Sequence, residues 1–290
     1  MAFASLFAGG NQRPSQEVRI GGALPEGRTY VPVLTTEKTW VSDQVRVATT
    51  LSAATDCELL ITDPITGDHV FGPDVPTETE VILETVHAYL TDRPVAAHGM
   101  LSSRRLARRL REYTEEHLVR TLVVPGTTSD HTPNSRGFER IANRTSCNVV
   151  TVNGQGGYRS FASMLLPIAN GPHSGLVTDV AASIAAESGT WVDVLHVIPP
   201  DPDPAVRAAA ERRVEHAAER IGRPESVTTW ILEAPDPAAK IIEQSTYYGL
   251  TVIGAPQVGR LKQFVYGSTS RAIRKQANSV VIAARTAEHS

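Results

Sequence analysis

Apolar runs and helix-like stretches alternate along this chain, and the whole alternation occurs twice. The first copy opens on Tyr30-Val-Pro-Val-Leu34 and a helix-like stretch from Thr39 to Thr55. The second opens on Met164-Leu-Leu-Pro-Ile-Ala169 and a helix-like stretch from Gly175 to Ser188. With Pro32 set against Pro167, the later runs fall into step. Cys57–Thr62 pairs with Trp191–Ile198, Arg93–His98 with Ser226–Leu232, Val119–Val124 with Leu250–Ile253, and Asn148–Val152 with Ser279–Ala284. Helical patterns lie between them at Glu78–Thr91, Ala205–Ile221, Ser103–Glu116, Pro237–Tyr248 and Thr269–Gln276. Each half reads βαβαβαβαβ at a repeat of roughly 130 residues. Alternating strands and helices demand parallel strands, because each crossover carries a helix back over a sheet face. The expected fold is therefore α/β: two open parallel five-stranded sheets flanked by helices, related by internal duplication.

A chain of 290 residues suits two domains of that size. Its 41% hydrophobic and 20% charged content is that of a folded protein. The formal charge of −3 gives no electrostatic case for a nucleic-acid partner. Two cysteines, Cys57 and Cys147, exclude a disulfide framework and fit a reducing compartment. No apolar run approaches the ~20 residues of a bilayer span, and Met1–Ala8 lacks the basic start of a signal peptide. The expectation is a cytoplasmic protein with a tail over 1–28, a first domain over 29–153, a linker over 154–163 and a second domain over 164–286. Gly154-Gln-Gly-Gly-Tyr-Arg-Ser160 reads as that linker rather than as a dinucleotide loop, since Arg159 replaces the third glycine and a strand follows.

Gly254-Ala-Pro-Gln-Val-Gly259-Arg-Leu-Lys-Gln-Phe-Val-Tyr-Gly267-Ser268 lies between a strand and a helical pattern. Glycines at such a turn let backbone N–H groups approach an anion, and a helix N-terminus adds partial positive charge. Ser268 and Thr269 would donate to a phosphate or cap the helix. Arg260 and Lys262 read as solvated loop charges. His196 reads as a core histidine, and His173 as a neighbour of the pocket at a helix start. Arg104, Arg105, Arg108, Arg109 and Arg111 surround a Leu106, Leu110 and Tyr113 stripe, so they face solvent and pair with Glu112, Glu115 and Glu116. No phosphate-loop lysine motif, zinc-protease motif or nucleophile elbow is present, and no enzyme activity is expected.

The second half resembles the universal stress protein family. The nucleotide-binding branch of that family has a glycine, two residues, a glycine, nine residues, a glycine and then Ser or Thr. Gly254 and Gly267-Ser268 match; Gln257 stands at the second glycine, with Gly259 two residues on. The resemblance implies an adenine nucleotide alpha hydrolase-like fold and an adenine nucleotide ligand, ATP or AMP, with Mg2+ accompanying it. It places Pro167, Ala169 and Asn170 at the ribose, where the family usually has Asp, and the Val197 backbone at adenine. Gly254, Gly259, Gly267, Ser268 and Thr269 fall at the phosphates. It also implies joining through fifth strands, as a pseudo-dimer or homo-oligomer. The first half is a degenerate copy with Pro125-Gly126 and Ser135-Arg136 where the second has its glycine segment. The alternative is an interaction module without nucleotide, acting on protein partners such as a membrane transporter.

Overall fold

A computed structural model describes residues 28–32, 38–55, 57–62, 79–92, 103–126, 145–154, 157–159, 161–256, 265 and 280–287. Its first half contains β1 (Arg28–Pro32), α1 (Lys38–Thr55), β2 (Glu58–Thr62), α2 (Thr79–Asp92), α3 (Ser103–Glu116), β3 (Val119–Pro125) and β4 (Asn148–Asn153). The second contains β5 (Ser163–Pro167), α4 (Ser174–Ser188), β6 (Trp191–Ile198), α5 (Pro204–Ile221), β7 (Val227–Glu233), α6 (Pro237–Ser245), β8 (Leu250–Gly254) and β9 (Val280–Arg285). The expected strand Arg93–His98 and helix Thr269–Gln276 lie outside the described residues.

The described strands form one nine-stranded sheet in the order β2-β1-β3-β4-β9-β8-β5-β6-β7. Every neighbouring pair is parallel except the central one. There β4 and β9, the last described strands of the two halves, run antiparallel with Val150 opposite Ala284 and Val152 opposite Ile282. Two edges that would otherwise be open close on each other. All six residues of β4 are buried, as are the first five of β9, which is what strands covered on both faces require.

The halves also share a core. On one face α1 packs against α4, and Val41, Val45 and Ala48 join Leu176, Val177, Val180 and Ala181 in a single apolar cluster. On the other face Leu110 of α3 is buried against Tyr30, Leu122 and Val149, and Tyr113 stacks on Tyr30 with ring centroids 4.8 Å apart. The outer face of α3 behaves as its pattern demands: Arg108 and Arg111 pair with Glu112 and Glu115 one turn on.

Helix ends follow local chemistry. Asp203 and Asp236 cap α5 and α6 by accepting from Val206 N–H and Ala239 N–H at 2.9 and 3.0 Å, each followed by a proline. Gly189 and Gly222 end α4 and α5 in the left-handed conformation that glycine adopts without strain. The sixth helix stops at Ser245, three residues short of the expected Tyr248. The chain turns there, and the Tyr248 hydroxyl donates to Asp193 Oδ2 at 2.7 Å.

Candidate functional site

In the second half the strand order is β9-β8-β5-β6-β7. The first strand of that half therefore lies between its fourth and its second, and the chain leaves β5 and β8 toward opposite sides. Ligands of open α/β sheets bind at the carboxyl ends of strands where the order reverses in this way. Four of the expected residues meet at that end: Pro167 and Ala169 at and just past the end of β5, Asn170 beside them, and Gly254 at the end of β8. Pro167 is buried, while Ala169 and Asn170 are exposed.

The turn from β5 into α4 is pinned from three sides. Ser174 Oγ donates to Ala169 O at 2.5 Å and accepts from Gly171 N–H at 3.4 Å. His196 Nδ1–H donates to Ile168 O at 2.8 Å. His173, the residue before α4, takes the Thr286 N–H and Thr286 hydroxyl on Nδ1 at 3.2 and 2.9 Å, which ties the turn to the end of β9. Among the described residues no side chain caps α4; Ser174 N–H turns back to Gly171 O at 3.2 Å, and the start of the helix lies beside the ends of β5 and β8. A Cβ on Gly254 would lie 3.4 Å from His173 Cβ, so the end of β8 sits directly against that turn.

Val197 occupies the next position outward. Ile168 N–H donates to Leu195 O at 2.9 Å, and the β5 to β6 ladder ends at Pro167 opposite Leu195. Backbone groups alternate sides along a strand, so Val197 N–H and C=O point the same way as those of Leu195, past the last residue that β5 supplies.

His196, expected in the core, is half-buried instead, and both its ring nitrogens have partners. Its Nδ1 donates to Ile168 O, and its Nε2 accepts from Arg213 Nη1 at 2.7 Å. Both partners fix the neutral ring. Burial, opposed by the Ile168 hydrogen bond and aided by the Arg213 charge, lowers its pKa below the ordinary 6.5.

Gly259, Gly267, Ser268 and Thr269, with Gln257, Arg260 and Lys262, lie outside the described residues. So do Ser135-Arg136 of the first copy. Beyond Pro256, Val265 is the described residue of the glycine segment. Its side chain is buried with Ile253, Val281 and Ala283, and its carbonyl accepts from Asn153 Nδ2 at 2.8 Å. Neither Asn153 nor Ser174 was legible as a site residue. Ser174 follows a Gly-Pro-His turn and carries a capping signal, but Asn153 lies 112 positions from its partner and carries none.

The family model of the universal stress protein family matches residues 160–285. The second half is a universal stress domain. The model begins at the end of the glycine-rich linker and takes in every element from β5 to β9. No curated protein sequence matches the chain. Among solved structures, a universal stress protein from Archaeoglobus fulgidus DSM 4304 is similar at 11% identity over 92% of this chain and 98% of its own, with a TM-score of 0.50. The cytoplasmic domain of a prokaryotic cation chloride cotransporter is similar at 15% identity over 91% of this chain and 98% of its own, with a TM-score of 0.56. Both likenesses are of fold, and they reach beyond the universal stress domain into the first half. No described helix is long and apolar enough to cross a membrane.

Proposed function

We propose that the universal stress domain binds an adenine nucleotide, ATP or AMP, and that the protein is regulatory rather than catalytic. The observation that carries this reading is the opening between the ends of β5 and β8, where Gly254 and the uncapped start of α4 adjoin. Adenine would meet the Val197 backbone, which offers one donor and one acceptor. Ribose would lie over Pro167, Ala169 and Asn170. Asn170 keeps an acceptor oxygen for a ribose hydroxyl without the charge of an aspartate. The phosphates would lie toward the start of α4 and the glycine segment, with Gly259, Gly267, Ser268 and Thr269 as their donors. Mg2+ would arrive on the phosphates, as hard cations of its size commonly do; among the described residues no group of three acidic, histidine or cysteine side chains is placed to hold a metal.

Calorimetric titration of the full chain with ATP, ADP and AMP tests this. Binding heat together with a rise in melting temperature is the expected result. Absence of both at millimolar nucleotide rejects it.

A second reading is a protein-interaction module working on a partner such as a membrane transporter. It is favoured by the outer edge strand. Trp230 of β7 is 49% exposed and Trp191 of β6 is 42% exposed, an unusual placement for large aromatics outside a contact surface. The transporter domain of similar fold suggests the class of partner. Under this reading nucleotide produces no heat, and Trp230→Ser abolishes partner capture without changing the melting temperature.

A further inference from the structure

We infer that the first half acts as a built-in partner that holds the glycine segment of the second half, through Asn153. The side chain of Asn153 leaves the last position of β4, opposite Val281 in the antiparallel joint. It is 1% exposed. Its amide N–H donates to Val265 O at 2.8 Å, and Val265 stands two residues before Gly267 in the segment that begins at Gly254. Val265 is thus fixed at two points of different origin: its side chain in the apolar cluster of β8 and β9, and its carbonyl by a residue of the other copy.

Gly126 makes room for this arrangement. It follows β3 and donates its N–H to Val152 O at 2.7 Å, as Ala255 after β8 donates to Ala284 O at 2.8 Å. A Cβ on Gly126 would lie 2.8 Å from both Cβ and Cγ of Asn153. The space that a Cβ would take at Gly126 is filled by the Asn153 side chain. The amide works through its donor end, since Asn153 Oδ1 has no hydrogen-bond partner among the described residues. Asn153 is therefore a positioning residue: it touches no ligand and sets where the Val265 backbone lies. Its effect on ligand affinity rests on the nucleotide reading above, whereas its hold on Val265 does not.

The test combines amide hydrogen exchange with ATP titration of the full chain, for wild type, Asn153→Ala and Gly126→Ala. The alanine at 153 removes the donor; the alanine at 126 displaces it by crowding. Both variants should speed exchange in peptides containing Val265 by about tenfold, the worth of one buried hydrogen bond, while peptides from α4 and β6 keep wild-type rates. ATP should bind about tenfold more weakly to both. Faster exchange at Val265 in a protein that binds no ATP upholds the brace and rejects the nucleotide reading instead. Unchanged exchange at Val265, or a rise spread evenly over all peptides, overturns the brace.

Discussion

Arg220 of α5 closes a fork on Asp179 of α4, with Nε on Oδ1 at 2.6 Å and Nη2 on Oδ2 at 2.9 Å. Asp179 is completely buried, and Arg220 is about one quarter exposed. The carboxylate raises the guanidinium pKa above its ordinary value, so Arg220 stays charged. The cost of such a pair appears when one member is removed, because the other stays charged in a low dielectric. Arg220→Ala should destabilise the chain by ~3–5 kcal/mol, read as a fall in the urea midpoint. Replacing both residues with leucine should recover much of that loss.

His196 gives the fold a dependence on pH. Its folded pKa lies below 6.5 through burial and then the charge of Arg213, so the unfolded chain binds the proton more readily. Stability from the neutral ring is full above the unfolded pKa and is lost as pH falls through the folded one. Protonation would also set an imidazolium against Arg213 and remove the acceptor that Arg213 uses. Melting temperature should fall between neutrality and about pH 5, and His196→Gln should flatten that slope.

The linker makes a third test. Asp43 of α1 is buried and accepts from Tyr158 N–H through Oδ1 at 2.9 Å. A Cβ on Gly154 would collide with Asp43 Oδ2. Gly154→Ala should push the carboxylate away from Tyr158 and cost ~1–3 kcal/mol. Gly171, whose Cβ direction is open, serves as the control: Gly171→Ala should leave the melting temperature within measurement error.

Gly254 separates ligand effects from folding effects. Among the described residues a methyl group there meets His173 Cβ at ordinary contact distance, so Gly254→Ala should keep both fold and ATP binding. Gly254→Leu should abolish the heat of ATP binding while lowering stability by no more than ~1–3 kcal/mol, the usual cost of an overfilled site. Equal ATP affinity in wild type and the leucine variant would remove Gly254 from the site.

Much of this architecture was legible because a parallel sheet buried on both faces writes itself as near-continuous apolar runs. Val119–Val124 and Leu250–Ile253 are such runs, and both are strands. The turn chemistry at Asp203-Pro204 was legible for the same reason, being local. Asp43 and Gln44 were not. In a helical pattern two adjacent polar residues suggest a solvent face, yet both are buried because α1 meets the linker and β3: Asp43 accepts from Tyr158 N–H, and Gln44 donates to Val123 O. The tie between His173 and Thr286 spans 113 positions, and no periodicity encodes it. The turn past β5, with Pro167, Ala169 and Asn170, was legible because it is a single β-to-α turn. The tie that the first half makes to Val265 through Asn153 was not.

The antiparallel seam between β4 and β9 has a consequence for concentration. Partners joined from separate chains fall apart on dilution, whereas these two are held on one chain by the short stretch from Gly154 to Ala162. A tether of that length keeps the halves at an effective concentration in the millimolar range. Pairing of the two copies is then independent of how much protein is present, and any response carried across the seam works the same in a scarce protein as in an abundant one.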